Sequence, residues 1–176
     1  MPVLDACSRK ITGRYFGPEP TSAVVQIAWD KALAEEVLLA EDAPRLPVAA
    51  SDRGTQMTSK STQQFFFALG IVQSFSRART PTGNAPCEAW IATIRCEQLY
   101  DADTTGMTPE EVELMIDRFT DFDNNERLHQ ALDFVTPAER HDGRHIAIIE
   151  TRKRGMQAKL RRRIEAYGGR SGEADG

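Results

Sequence analysis

At 176 residues, 40% of them hydrophobic, the chain has the size and apolar content of one domain around a single buried core. No stretch approaches the length of a membrane span and no basic-then-apolar leader opens the chain, so a cytoplasmic protein without a membrane partner is expected. The formal net charge of −4 hides a division: Asp101 to Asp142 carries twelve acids against three arginines, a balance of −9, while Thr151 to Arg170 carries eight Lys or Arg against Glu165 alone, a balance of +7.

The predicted elements run in an α/β order. Two apolar stretches, Pro2 to Leu4 and Ile11 to Phe16, flank Asp5-Ala-Cys-Ser-Arg9 and predict two strands joined by a turn. Ser22 is expected to cap a long helix in which Val25, Trp29, Leu33 and Val37 recur at helical spacing, ended by Pro44 and Pro47. Leu46 to Ala50 predicts a short strand. Ser59 to Leu69 predicts a helix in which Phe65, Phe66 and Phe67 supply core whichever way it rolls. Gly70 stops it, and Ile71 to Phe75 predicts a last strand. Pro86 opens another helix to about Leu99, Pro109-Glu-Glu begins an acidic-faced one ending near Asn125, and Ile146 to Tyr167 forms a basic one. Gly168 to Gly176 reads as disordered.

Two acids stand out by position. Asp52 follows the apolar run of Leu46 to Ala50, at the carboxyl end of a predicted strand, where open α/β sheets place their ligands. It also precedes Gly54, and Asp-x-Gly is an ordinary turn by local hydrogen bonding. Glu88 lies in the first turn of the Pro86 helix, where the helix dipole favours a carboxylate in any case. Thirty-five residues separate the two. Arg95, seven residues after Glu88, shares its helix face, while Trp90 and Ile94 point elsewhere. The three cysteines, Cys7, Cys87 and Cys96, have no paired zinc-site spacing and are read as reduced thiols.

These blocks resemble those of DDE transposases and integrases, in particular bacterial insertion-sequence transposases related to retroviral integrase cores. The residues that carry the resemblance are Asp5-x-x-Ser8-Arg9-x-Ile11-x-Gly13, Asp52-Arg-Gly-Thr-Gln56, Gly70-Ile71, Ser76-Arg77, Pro81, Asn84-Ala85-x-x-Glu88, Thr93-Ile-Arg95, Asn124-Asn-Glu-Arg127-x-His129-Gln-Ala-Leu132 and Thr136-Pro137-Ala138. It covers about Met1 to Asp142. It implies an α/β, ribonuclease H-like mixed sheet flanked by helices, and DNA integration or transposition by metal-dependent phosphoryl transfer. Asp52 and Glu88 take the catalytic and metal-binding positions, with Mg2+ or Mn2+ as cofactor and two ions in a complete site. Clustered carboxylates suit that chemistry, because hard divalent cations prefer oxygen to imidazole or thiol. Arg95, Gln56 and Asn84 correspond to positions near the DNA. A planar guanidinium suits phosphate, although surface amides and arginines also occur with no such role.

The resemblance implies three acids, and here the Asp-x-x-Ser-Arg turn already begins at Asp5, so the first strand and its catalytic Asp read as absent by N-terminal truncation. Asp5 itself reads as a turn residue. Gly83 also stands where an acid is common, and Ala50 where many relatives carry His. The chain is thus expected to comprise an incomplete core, residues 1–142, and a basic helical tail, residues 143–176, inactive in strand transfer by itself. The alternative is a non-catalytic DNA-binding or transposase-interacting remnant of a mobile element. Expected partners are DNA, at a nucleoid-associated location, and full-length transposase or a second copy. In the tail, Arg152, Lys153, Arg161, Arg162 and Arg163 are candidate phosphate contacts, the other reading being a solvated helix face. His129 reads as structural. His141 and His145 have chelating spacing for a helix, but Gly143 between them argues against one.

Overall fold

A computed structural model of the chain describes residues 1–17, 19–36, 46–76, 85–100 and 106–168. Arg77, Pro81, Gly83 and Asn84 of the sequence motifs lie outside the described residues, as do Val37, Pro44 and the end of the tail from Gly169.

The N-terminal pair is an antiparallel hairpin of β1 (Pro2–Leu4) and β2 (Ile11–Arg14). Its turn has a local cause in every motif residue. Asp5 Oδ1 accepts from both the amide and the hydroxyl of Ser8, each at 2.6 Å, and Arg9 takes a left-handed φ of 63° to reverse the chain. Helix α1 (Ser22–Glu35) then packs across β2. Gly13 permits that approach: a Cβ there would overlap the Ala28 carbonyl oxygen and lie 2.7 Å from Ala32 Cβ. The cap of α1 is Thr21 and not Ser22, its hydroxyl accepting from the Val24 amide at 3.5 Å; Ser22 is already the first helical residue.

The second strand pair is parallel, β3 (Val48–Ser51) with β4 (Val72–Phe75), connected through α2 (Thr55–Thr58) and α3 (Lys60–Ala68). Helix α2 has no amphipathic period because it is a single turn. Gly70, at φ 70°, ends the α3 segment as its sequence predicts. Of the three phenylalanines, Phe66 is fully buried and edge-on to Trp29 at 5.0 Å, Phe65 is partly buried, and Phe67 is 87% exposed. One helix face reaches the core, so three consecutive residues cannot all do so. Val25, Ala28, Trp29 and Leu33 from α1, with Ala49, Met57, Phe66 and Ile71, form the main core.

The strands thus form two separate pairs, β1–β2 and β3–β4, with α1 packed against β1, β2, α2 and α3. The class is mixed α/β, as the element order predicts. Beyond them follow α4 (Ala85–Ile94), which continues into a π-helical turn, Arg95–Leu99, then α5 (Pro109–Asn125), α6 (Pro137–His141) and α7 (His145–Gly168). Both α5 and α6 begin with a capping box and proline at the first helical position: Thr108 with Glu111, and Thr136 with Glu139. That is the physical content of the Thr136-Pro137 motif. Gly143, at φ 75°, separates α6 from α7, so His141 and His145 sit on different helices.

Candidate functional site

Asp52 immediately follows β3 and is exposed. Its Oδ1 accepts from the Gly54 amide at 2.9 Å, so the local turn orients the carboxylate, and the other oxygen has no hydrogen bond among the described residues. Both readings of Asp-x-Gly therefore coexist at one residue. Arg53 lies over the Phe75 ring of β4, 6.0 Å from its centroid. Gln56, in α2, places its side-chain amide against Gly54, where a Cβ would come within 2.6 Å of Nε2. Gln56 is thus part of the Asp52 turn.

Glu88 is exposed in the first turn of α4. That helix packs on β1, and Cys87 is next to Glu88 in it. Burial, then the Glu88 carboxylate, push the Cys87 thiol up, while burial holds the Met1 amine below its ordinary value. Arg95 is exposed at the start of the π-helical turn, whose Tyr100 amide bonds to the Arg95 carbonyl at 2.9 Å. Ile94 is buried, and Trp90 turns to Phe119 of α5 at 6.4 Å. Glu88 and Arg95 are both exposed, while Trp90 and Ile94 face inward; Arg95 itself lies beyond α4, in the π-helical turn. No hydrogen bond or ion pair joins Asp52, Glu88 and Arg95 to one another among the described residues, and no group of three or more His, Cys, Asp or Glu there is arranged to hold a metal. The candidate donors are two exposed carboxylates, whose oxygens suit a hard divalent cation.

Asp5 is engaged in its turn. Burial raises its carboxyl, yet the two Ser8 hydrogen bonds and the nearby His141 hold it below the usual carboxylate range. Ser8 Oγ in turn lies 3.2 Å from His141 Nδ1, His141 Nε2 lies 2.7 Å from Glu36 Oε2, and Lys10 Nζ is 2.8 Å from Glu36 Oε1. Against its own burial, Glu36 is likewise held low by Lys10 and His141. Ser8 is only 1% exposed, so this chain of side chains ties the hairpin to α1 and α6 and offers no nucleophile to solvent. Asp5 to Ser8 is legible as a turn spacing, but no local signal announces partners as distant as Glu36 and His141.

The signature that begins at Asn124, in the last turn of α5, is also engaged within the fold. Asn124 bonds the backbone of β2, Arg127 forms two 2.7 Å bonds with Glu97, and His129 Nε2 stands 3.4 Å from the buried Asp123. The Glu97 carboxyl is held low, chiefly by Arg127. In the tail, Arg152 is partly spent: its Nη1 donates to the Phe134 carbonyl at 2.7 Å and anchors α7. Lys153, Arg161, Arg162 and Arg163 are exposed.

Two family models, each described as integrase core domain, match the chain in succession, over residues 1–81 and 69–137. Among solved structures, the catalytic core domain of BIV integrase superposes with a TM-score of 0.50 at 17% identity, covering 80% of this chain and 86% of that one. That likeness is one of fold, the ribonuclease H-like core. Among curated proteins, none matches this chain.

Proposed function

Since the chain belongs to the integrase-core family, matched from residue 1 to 137, we propose that it serves DNA recombination of the integrase and transposase kind by metal-dependent phosphoryl transfer. The observation that carries the reading is the pair of exposed carboxylates, Asp52 at a strand end and Glu88 in a helix's first turn, one inside each matched span. A divalent cation at such a pair supplies activation of the attacking hydroxyl and charge stabilisation of the departing oxygen. The chain's own residues position: the Gly54 amide fixes Asp52, Gln56 shapes the same turn, and Arg95 on the Glu88 side is the donor for a phosphate. Asn84 belongs to the same proposed DNA surface. The basic helix from His145, with Lys153, Arg161, Arg162 and Arg163 and the free part of Arg152, is a second, sequence-independent phosphate contact. We place the boundary between core and tail at Gly143.

A second reading, a DNA-binding or transposase-interacting protein without catalysis of its own, is favoured by one observation: among the described residues no group of three or more His, Cys, Asp or Glu is arranged to hold a metal, at Asp52 and Glu88 or elsewhere. Phosphoryl transfer depends on positioning, so a two-acid site is expected to lose nearly all of the rate. Mn2+ binding and DNA end joining test both readings. Asp52→Asn and Glu88→Gln are each expected to abolish Mn2+ binding; end joining by the parent chain supports the first reading, and its absence with DNA binding retained supports the second. Mn2+ binding untouched by both substitutions excludes the pair as the metal site, and failure to bind DNA removes the functional reading. End joining by the parent that Asp5→Asn abolishes would make Asp5 the third acid.

A further inference from the structure

Helix α7 carries a heptad row. Ile146, Ile149, Met156, Leu160 and Tyr167 are joined by Lys153 and Arg163 into one line whose steps alternate 3, 4, 3, 4, 3 and 4 residues, the strict period of a coiled-coil strand. Nothing among the described residues covers it: Ile146, Met156, Leu160 and Tyr167 are 58–71% exposed, and so is every residue from Glu150 to Tyr167 exposed in its turn. A helix of this length standing in water is marginal, because most helical stability comes from packing one face. The row runs over residues 146–167, about 32 Å at ~1.5 Å per residue, which is three heptads.

Charge narrows what can cover the row. Lys153 and Arg163 lie within it, Arg152 and Lys159 flank it on one side, and on the other flank only Glu150 is acidic. A second α7 would set these cations against their own kind. DNA would neutralise them and leave the apolar residues in water. A lipid surface calls for a wide apolar face, which a two-in-seven row broken by two cations does not supply. A helix with its own apolar heptad row and carboxylates beside it meets both needs. Arg161 and Arg162 point away from the row, so a helix lying on it leaves them available to phosphate.

We propose that α7 is one strand of a two-helix coiled coil whose other strand is an acidic, heptad-patterned helix of a different protein. The apolar residues of the row supply the buried seam. The stems of Lys153 and Arg163 lie along it while their heads reach the carboxylates on the partner's flanks, and the uniform positive charge of the row disfavours self-pairing. The proposal needs neither catalysis nor the DNA contact of the tail.

The test uses the full chain and two synthetic three-heptad peptides with leucine along the row, one flanked by glutamate and the other by lysine. Calorimetry is expected to show an equimolar complex with the glutamate peptide, about tenfold or more tighter than with the lysine peptide and weakened by salt. Circular dichroism is expected to show more helix than the sum of the parts. Met156→Gln with Leu160→Gln keeps helix propensity and charge, and is expected to lose the complex while binding DNA as the parent does. Lys153→Glu with Arg163→Glu is expected to reverse the preference between the peptides. Arg161→Glu with Arg162→Glu, outside the row, should keep the glutamate peptide, so any loss of DNA binding there reports on the phosphate contact alone. No complex with the glutamate peptide, equal affinity for both peptides, or a complex that survives Met156→Gln with Leu160→Gln overturns the proposal. So does a parent chain that instead self-associates, or binds phosphatidylserine vesicles, through the same row.

Discussion

Asn124 closes its side-chain amide on both backbone groups of Ile11: Oδ1 accepts the Ile11 amide and Nδ2 donates to the Ile11 carbonyl, each at 2.9 Å. The amide acts as a one-residue strand on the outer edge of β2 and satisfies backbone groups that are buried there. Asn124→Leu leaves both unpaired, and a loss of about 2–6 kcal/mol is expected by summing two unsatisfied groups at ~1–3 kcal/mol each. Asn124→Asp keeps the acceptor and should fall between. Urea unfolding followed by circular dichroism measures both, and a Leu variant as stable as the parent would show the clasp to be dispensable.

Two glycines predict opposite signs. Gly13→Ala drives a methyl into the Ala28 carbonyl and Ala32 and is expected to destabilise by roughly 1–3 kcal/mol, as overpacking does. Gly155, in the middle of α7, has nothing within 4 Å of the position a Cβ would take, so Gly155→Ala should raise helicity and stabilise α7 by about 0.5–1 kcal/mol. Thermal melts and far-ultraviolet dichroism on the pair check both.

Acid should loosen the hairpin's attachment. Asp5 and Glu36 are both held below their ordinary carboxyl values. A carboxyl lower in the folded than in the unfolded chain binds fewer protons when folded, so its stabilisation is full at neutral pH and is lost as pH falls below the usual carboxylate range toward the folded value. Stability should decline on that acid limb, and Glu36→Gln should flatten the decline. An unchanged acid limb in that variant would remove Glu36 as its source.

DNA affinity is expected to fall steeply with salt and to depend little on sequence, because the tail offers charge without base readout. Arg161→Glu with Arg162→Glu and Arg163→Glu should weaken binding and shallow the salt slope by about one for each phosphate that is no longer neutralised. Fluorescence anisotropy at several salt concentrations measures both; the same affinity and slope in the triple variant would take these arginines off the DNA-binding surface.

Helix α5 is readable to the residue at both ends because its start is written locally in Thr108-Pro109-Glu-Glu111 and its apolar period is long. Gly70 and Asp52 are readable for the same reason: turn chemistry is a property of neighbours. Phe67 is not, since the burial of one residue in a Phe-Phe-Phe run depends on which side of α3 meets Trp29. The tie from Ser8 through His141 to Glu36 is hidden from the sequence, because its members are 105 and 133 residues apart. Within the candidate site, residue types and spacing name Asp52, Glu88 and Arg95. Nothing local reveals that α4 rests on β1 and is prolonged by a π-helical turn.

The clasp of Asn124 on Ile11 also sets an order of events during synthesis. A chain emerging from the ribosome makes β2 more than a hundred residues before it makes Asn124, and the His141 that joins Ser8 comes later still. Until then the buried edge of β2 has no side-chain partner, and closing so long a loop carries an entropic cost that only the finished contact repays. Strands β1 and β2 are therefore secured late, and through that interval the nascent hairpin is exposed to chaperones, proteases and mispairing with other chains.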